Sequence, residues 1–463
     1  MRIQFNGANR TVTGSCHEIE INGLRLLLDL GLYQGPRDES RRLNLELPDE
    51  IGRADAVILS HGHLDHCGRL PVLAKHGYAG PIYCTPATAE VARVVLEDSA
   101  DVQEEDAIYL NRRALRPGEP PVEPLYRAAD VPAVLRMFNK IPYARRVDLG
   151  HDVGFTLFDA GHILGSAYVV LDWVERGRER KLLFTADVGR YNTPILADPV
   201  APPANVDIVI TESTYGGRTH EPMDRVETLL LEAIQYCINH RSRLIIPAFA
   251  VGRTQTMLWY VQKLIEEKRI PAMPIFVDSP MGIEASEIHG AFRDSYDAQT
   301  RELIGSRDLF GMSRVSFTRS AGESKQINSA VGPLIIIASS PTCEFGRVLH
   351  HIKLSIEREH DMLLFVGFTP GNTLGRRLQA GEKRVRIYDR WYEVKMQIRT
   401  LHGLSAHADQ HELLRFLRPA VHRETEVYVV HGEADQSEAL ARHLVEAGVE
   451  DVCVPARETS VLA

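Results

Sequence analysis

Seven consecutive residues, Ser60-His61-Gly62-His63-Leu64-Asp65-His66, bring three imidazoles and a carboxylate into six positions. They follow DAVILS (55–60), a short apolar run that reads as a buried strand. Imidazole nitrogen and carboxylate oxygen suit zinc, which tolerates the open coordination that hydrolysis needs. The donors are numerous enough for two metal ions. A lone histidine at such a place is more often a packing residue, but chance matches to four fixed polar positions are rare.

Further ligand-type side chains recur where a strand meets a glycine-bearing loop. Asp29 closes LRLLLD before Gly31, His162 lies in DAGHILGSA after a strand near 155–158, and Asp187 ends KLLFTAD before Gly189. Each alone is a residue type found at turns and caps. Together they repeat one design, a site assembled from strand-end loops.

The elements that must position these loops are β-rich over the first 200 residues. Asn22-Gly23, flanked by residues 16–21 and 24–29, predicts a hairpin. A long polar helix begins near Ala87, and with the Pro-rich continuation at Pro117–Pro124 it reads as an excursion from the core. From about Val206 the rhythm becomes alternating strand and helix, as in VDIVITE, Met223–His240, RLIIPAF, Thr254–Glu267, PIFVDS and PLIIIASS, which implies parallel βαβ units in a separate α/β domain. A hairpin in RVRIYDRWYEVKMQIRTL, a helix at Asp409–Leu417, the strand EVYVVHG and a last helix from Ser437 complete the chain.

Composition bounds the function. The chain has 463 residues, 44% hydrophobic and 25% charged, the balance of a globular enzyme. No window approaches the roughly 18 apolar residues of a membrane helix, and MRIQFNGANR lacks a secretory apolar run. Six cysteines without a C-x-x-C pair read as reduced thiols. The expectation is a cytoplasmic protein with no membrane partner. Net charge is −9, unlike the usual basic nucleic-acid binder. Two stretches depart from this: 111–146 and 376–399 each carry eight basic and three acidic residues. Either alone reads as a solvated face; two in an acidic chain keep a phosphate-rich ligand open.

The set Asp29, His61, His63, Asp65, His66, His162 and Asp187 resembles the metallo-β-lactamase superfamily. The resemblance implies an α/β fold, an αββα sandwich with two zinc ions at one edge of its sheets. His61, His63 and His162 would hold one ion, Asp65 and His66 the other, with Asp187 between them and Asp29 supporting the ligands. Glu212 in ITESTYG, His407 in GLSAHAD and His431 in VVHGE match the three motifs of the β-CASP nucleases, whose second α/β domain is inserted into the lactamase fold. IPAFAVGRTQ (246–255), DSPMGIEASEI (278–288), ESKQIN (323–328) and TLGRRL (373–378) are similar to that family too. The chain resembles bacterial and archaeal homologues of the nuclease subunit of the eukaryotic cleavage and polyadenylation specificity factor. The implied division is a lactamase part over 1–207, a β-CASP domain over 208–390, and a lactamase return over 391–463.

The activity so implied is zinc-dependent hydrolysis of RNA phosphodiester bonds by a hydroxide bridging two zinc ions, in RNA processing or decay. A histidine at the third marker accompanies RNA-processing members, so His431 points to RNA and, by the resemblance, to the second zinc. His407 would protonate the leaving oxygen, held by Glu212. Asp65, His407, Glu212 and Asp29 are thus the expected catalytic residues, and Arg253 and Arg376 candidate RNA contacts. Single-stranded RNA is the expected partner, and a homodimer the assembly by resemblance alone. Endonucleolytic and 5′-exonucleolytic cleavage both stay open. One loop departs from the family: Ser340-Pro341-Thr342-Cys343-Glu344-Phe345-Gly346-Arg347 stands where relatives carry Gly-Met…Gly-Gly-Arg, and this bears on how RNA is held. The alternatives are a hydrolase of a small ester or thioester and a non-catalytic RNA-binding paralogue.

Overall fold

Asn22 and Gly23 both take left-handed backbone (φ 46° and 87°), and this turn joins His17–Ile21 to Leu24–Leu28 as the dipeptide predicts. The computed structural model describes residues 1–47, 51–113, 121–304, 310, 311, 313–367, 369 and 373–463. They form two compact units. The first comprises Met1–Tyr191, Asp198–Thr219 and His407–Ala463, and the second Asn192–Ala197 and His220–Ala406.

The first unit holds two seven-stranded sheets. One runs in the order Thr459–Leu462, Arg2–Phe5, His17–Ile21, Leu24–Leu28, Ala56–Ile58, Ile82–Cys84, Phe138–Lys140. The other runs Asp451–Cys453, Glu426–Val429, Ile208–Thr211, Arg178–Phe184, Ala167–Glu175, Val153–Asp159, Val147–Gly150. Their facing apolar side chains share one core, with Ile3, Ile19, Leu26 and Ile58 from the first sheet and Phe155, Val169, Leu182 and Ile208 from the second. The outer face of the second sheet packs Val209, Val427 and Val429 against Leu413 and Phe416 of helix Gln410–Leu417 and Leu440 of helix Ala434–Glu446. Layers of helix, sheet, sheet and helix result, as expected for the αββα sandwich.

The second unit centres on a six-stranded parallel sheet, Val315–Phe317, Ile275–Asp278, Leu334–Ala338, Arg243–Pro247, Met362–Phe365, Gln397–Thr400. Both faces are covered, so Leu244, Ile245, Ile335 and Ile336 are all fully buried and the strands lack alternation.

Three details differ from the sequence-based expectation. Strand Ile208–Thr211 lies between Arg178–Phe184 and Glu426–Val429 in the first unit's sheet, and Gln397–Thr400 completes the second unit's sheet. The units therefore divide after Thr219 and Ala406, where 207 and 390 were expected. Helix Pro86–Arg113 is no excursion over its first half: Ala87, Val91, Ala92, Leu96 and Ala100 are buried. Its alanine-rich inner stripe and polar outer face dilute the apolar signal. Residues 117–120 of the Pro-rich segment lie outside the described residues, as does Arg116 of the first basic stretch.

Candidate metal centre

Strand direction explains why the ligands meet. Leu24–Leu28 and Ala56–Ile58 are parallel neighbours, and Arg178–Phe184, Ile208–Thr211 and Glu426–Val429 are parallel in the second sheet. Val153–Asp159 shares their direction because the antiparallel strand Ala167–Glu175 separates it from Arg178–Phe184. All six therefore end on matching edges, and Asp29, His61, Asp187, Glu212, His162 and His431 follow those ends. Two of these turn sharply: Asp29 (φ 61°) and His431 (φ 47°) take left-handed backbone, a costly conformation retained where geometry demands it. Glycines let the loops close in. A Cβ on Gly31 would lie 1.5 Å from the Asp65 carbonyl oxygen, and one on Gly189 1.9 Å from the Gly161 carbonyl oxygen.

The side chains converge in two sets. His61 Nε2 and His162 Nε2 stand 3.1 and 3.2 Å from His63 Nδ1, and each lies 3.4 Å from Asp187 Oδ2. In the second set His66 Nε2 is 3.1 Å from His431 Nε2, which is 3.5 Å from Asp65 Oδ2. Asp187 Oδ1 lies beside it, 3.4 Å from His66 Nε2 and 3.4 Å from Nδ1, the other nitrogen of His431. One carboxylate thus offers an oxygen to each set. A tetrahedral zinc with ligands at about 2.0–2.1 Å sets its donors roughly 3.3 Å apart, which these spacings approach. Asp187 Oδ1 is buried and receives no hydrogen bond from the described residues, a costly state for a carboxylate oxygen that a cation relieves. The residues fit zinc.

Electrostatics agrees. Burial drives His61, His63 and His162 below the ordinary imidazole range, His63 to about 3, so these rings keep free lone pairs. Burial opposes ionisation of Asp65 and Asp187, yet His431 and the other imidazoles beside them outweigh it and hold both carboxylates low. His66 goes the other way: burial works against its charge, but Asp187 and Asp29 prevail and raise it well above the usual value. Asp29 is fully buried and fixes the ring, with Oδ2 2.7 Å from His66 Nδ1.

A third group adjoins these. His407 Nδ1 lies 3.2 Å from both carboxylate oxygens of Glu212 and 3.9 Å from Asp187 Oδ2. Glu212 is buried and held by the amides of Val188 and Thr214. Burial lowers His407, but Glu212 and then Asp187 overcome it and lift it to about 9. The His407 side chain keeps 21% of its surface exposed, whereas Glu212 keeps none.

All ten of these positions fall in the first unit. Arg253 and Arg376 fall in the second, Arg253 partly buried at the start of helix Arg253–Glu266 and Arg376 exposed on helix Leu374–Gln379. In the atypical loop Arg347 pairs with buried Asp278 at 2.7 Å, and Glu344 accepts a hydrogen bond from the Leu374 amide. Sequence reasoning missed two hydroxyls. Ser60 donates to Asp29 through its amide (2.8 Å) and hydroxyl (3.0 Å), and its hydroxyl also meets His61 Nδ1 at 3.0 Å. Thr214 Oγ1 lies 3.3 Å from His431 Nδ1. A hydroxyl adjoining a ligand motif was the available signal for both.

Comparison with known proteins places this geometry. Residues 10–248 match the metallo-beta-lactamase superfamily, 254–378 the Beta-Casp domain, and 391–455 a Zn-dependent metallo-hydrolase RNA specificity domain. A ribonuclease of Thermus thermophilus is 33% identical over 97% of both chains. The transcription termination factor FttA of Methanothermobacter thermautotrophicus is 29% identical over 93% of this chain and 67% of its own. In fold, a crystal structure of a protein of unknown function from Enterococcus faecalis aligns with TM-score 0.53 over 99% of each chain, at 11% identity. The chain belongs to the β-CASP family of the metallo-β-lactamase superfamily.

Proposed function

We propose that this chain is a ribonuclease that hydrolyses phosphodiester bonds of single-stranded RNA with two zinc ions, serving RNA processing or decay in the cytoplasm, with a homodimer as its assembly. The observation that carries the reading is the split carboxylate of Asp187 beside the His407–Glu212 pair. His61, His63, His162 and Asp187 Oδ2 would hold one ion, and Asp65, His66, His431 and Asp187 Oδ1 the other. Zinc so held supplies Lewis acidity, which lowers the pKa of water toward neutrality and offsets charge on phosphate oxygens.

The chain's own residues do the rest. Asp29 holds a proton on His66 Nδ1 and so turns Nε2 toward the ion, which would displace the proton that the charged ring carries there. Glu212 likewise keeps a proton on His407 Nδ1 and favours the charged ring, so Nε2 carries a second, transferable proton at neutral pH. A ribose 3′ oxygen is a poor leaving group and needs that proton; a thiolate does not. The dyad therefore supports a phosphodiester over a thioester. Support also comes from the match to an RNA specificity domain and from a relative named as a ribonuclease. Arg253 and Arg376 are offered as phosphate contacts.

The test is cleavage of 5′-labelled single-stranded RNA and its DNA equivalent by the zinc-loaded chain, beside Asp65→Ala. RNA fragments absent in the variant are expected; intact RNA with the metals bound would overturn the reading.

A further inference from the structure

The two basic stretches differ in how their charges are used. In 111–146 carboxylates hold three of the cations: Arg127 pairs with Glu123, Lys140 with Glu90 at 2.8 Å, and Arg146 with Asp172 at 2.7 Å. In 376–399 three arginines instead lie over aromatic rings: Arg384 over Trp391, Arg390 over Tyr392, and Arg399 over Tyr236.

The first two of these pairs build a two-stranded hairpin, Arg384–Ile387 against Arg390–Glu393. Its inner face is a packing surface, with Val385, Ile387 and Tyr392 buried in a core that includes Ile336 and Phe365. Its outer face has another character. Arg386 stands directly opposite Trp391, and the Arg384 guanidinium lies 5.3 Å from the centre of the same ring. Trp391 is 52% exposed, while Trp173 is 2% exposed. Tyr388 at the turn is 54% exposed, with Lys353 Nζ 5.8 Å from its ring centre. Fold stability gains little from so exposed an indole, since hydrophobic stabilisation follows the area removed from water.

We propose that this outer face is an exosite for single-stranded RNA, with a base stacked on Trp391 and neighbouring phosphates on Arg384 and Arg386. It rests on the reading of the chain as a ribonuclease. An indole beside guanidinium groups supplies both things an unpaired strand offers to bind, a base face and a phosphate charge. Arg386 lies 3.5 Å from Asp389, and both are well exposed, so the pair is weak and yields to a phosphate. Glu393, opposite Arg384, already lies 3.7 Å from Lys395. Trp, Tyr and Arg are enriched at protein interfaces as well, so the salt dependence of binding is what separates an RNA strand from a protein on this face.

The test compares the zinc-loaded full chain with Trp391→Ala, Trp391→Tyr and the double variant Arg384→Ala/Arg386→Ala. One substrate is a fluorescein-labelled oligouridylate of about 20 nucleotides; the other is bis(p-nitrophenyl) phosphate, too small to span a second site. For the oligonucleotide, Trp391→Ala is expected to raise KM about fivefold or more, and Trp391→Tyr to keep most of the affinity. The double variant should flatten the salt dependence of log(kcat/KM) by about 1.4, at about 0.7 per phosphate contact. Hydrolysis of the small ester should match wild type in every variant, which also reports intact folding. Wild-type KM and salt slope in all three variants would overturn the exosite alone and leave the face to a protein or a second copy of the chain. Failure of the wild-type chain to cut the oligonucleotide while it hydrolyses the small ester would overturn both the exosite and the ribonuclease reading.

Discussion

Asp29 Oδ2 lies 2.7 Å from Nδ1 of His66, and it is the only carboxylate placed to fix that ring from behind among the described residues. The Ser60 amide and hydroxyl and the Ser15 hydroxyl all donate to the same carboxylate, so its own orientation is set. A ligand held this way loses little freedom when a cation binds. Asp29→Ala is expected to weaken zinc at the His66 set about 10–100-fold, read by competition with a chromogenic chelator. Unchanged affinity would show that the His66 ring needs no such support.

His407 and Glu212 make a second prediction. If His407 supplies the leaving-group proton, His407→Ala should lower kcat on RNA by about 10²–10⁴-fold. Bis(p-nitrophenyl) phosphate, whose leaving group is already stable as an anion, should lose far less. The pH profile carries the sign. Glu212 raises His407 toward about 9, so the acid form is lost only as pH rises through that range. Glu212→Gln removes the main attraction and should move the falling alkaline limb of kcat/KM down by about 1–3 pH units. An unmoved limb would assign it to another group.

A third concerns the loops. Gly189 approaches the Gly161 carbonyl so closely that a methyl group has no room, and Gly161 immediately precedes His162. Gly189→Ala should cost about 1–3 kcal/mol or more and misplace His162, seen as a lower unfolding temperature and reduced zinc content. A variant with normal stability and zinc content would show that the loop relaxes freely.

What the sequence disclosed follows from distance along the chain. The His61–His66 group is local, so its residue types and spacing identified metal chemistry by themselves. Asp29, His162 and Asp187 became legible because each lies where a strand meets a glycine-bearing loop. His407 and His431 lie more than 300 residues beyond that group, and nothing but their resemblance to known motifs drew them in. The boundary at Ile208–Thr211 was missed because a four-residue apolar strand with parallel neighbours looks alike in either unit's sheet. Strand Met362–Phe365 was missed because so short an apolar run cannot be told from a buried helix segment by periodicity. Burial along Pro86–Arg113 was hidden because alanine and valine fill its inner stripe. The role of Ser60 was invisible, since only a folded chain shows which carboxylate its hydroxyl meets.

A fourth prediction lies in the second unit. His289 is 1% exposed, neither ring nitrogen has a hydrogen-bond partner among the described residues, and burial lowers it from the ordinary 6.5 to about 4. The folded ring stays neutral while the unfolded one takes a proton below about 6.5, so its stabilising share is complete above that pH and drains as pH falls toward 4. Between pH 7 and 5 the loss is about 2 kcal/mol, from 1.36 kcal/mol per pK unit. Urea unfolding of His289→Leu should show a correspondingly flatter pH dependence than wild type; equal slopes would place the acid sensitivity elsewhere.

In the proposed centre one carboxylate, Asp187, joins two zinc positions into a single RNA-cutting site. The most direct measurement is the rate of RNA cleavage as zinc is titrated into the metal-free chain, with bound zinc counted on the same samples. Expected is a rate that reaches its plateau at two bound zinc ions per chain and is abolished by Asp187→Ala. A full rate at one bound ion, or undiminished cleavage by Asp187→Ala, would contradict it.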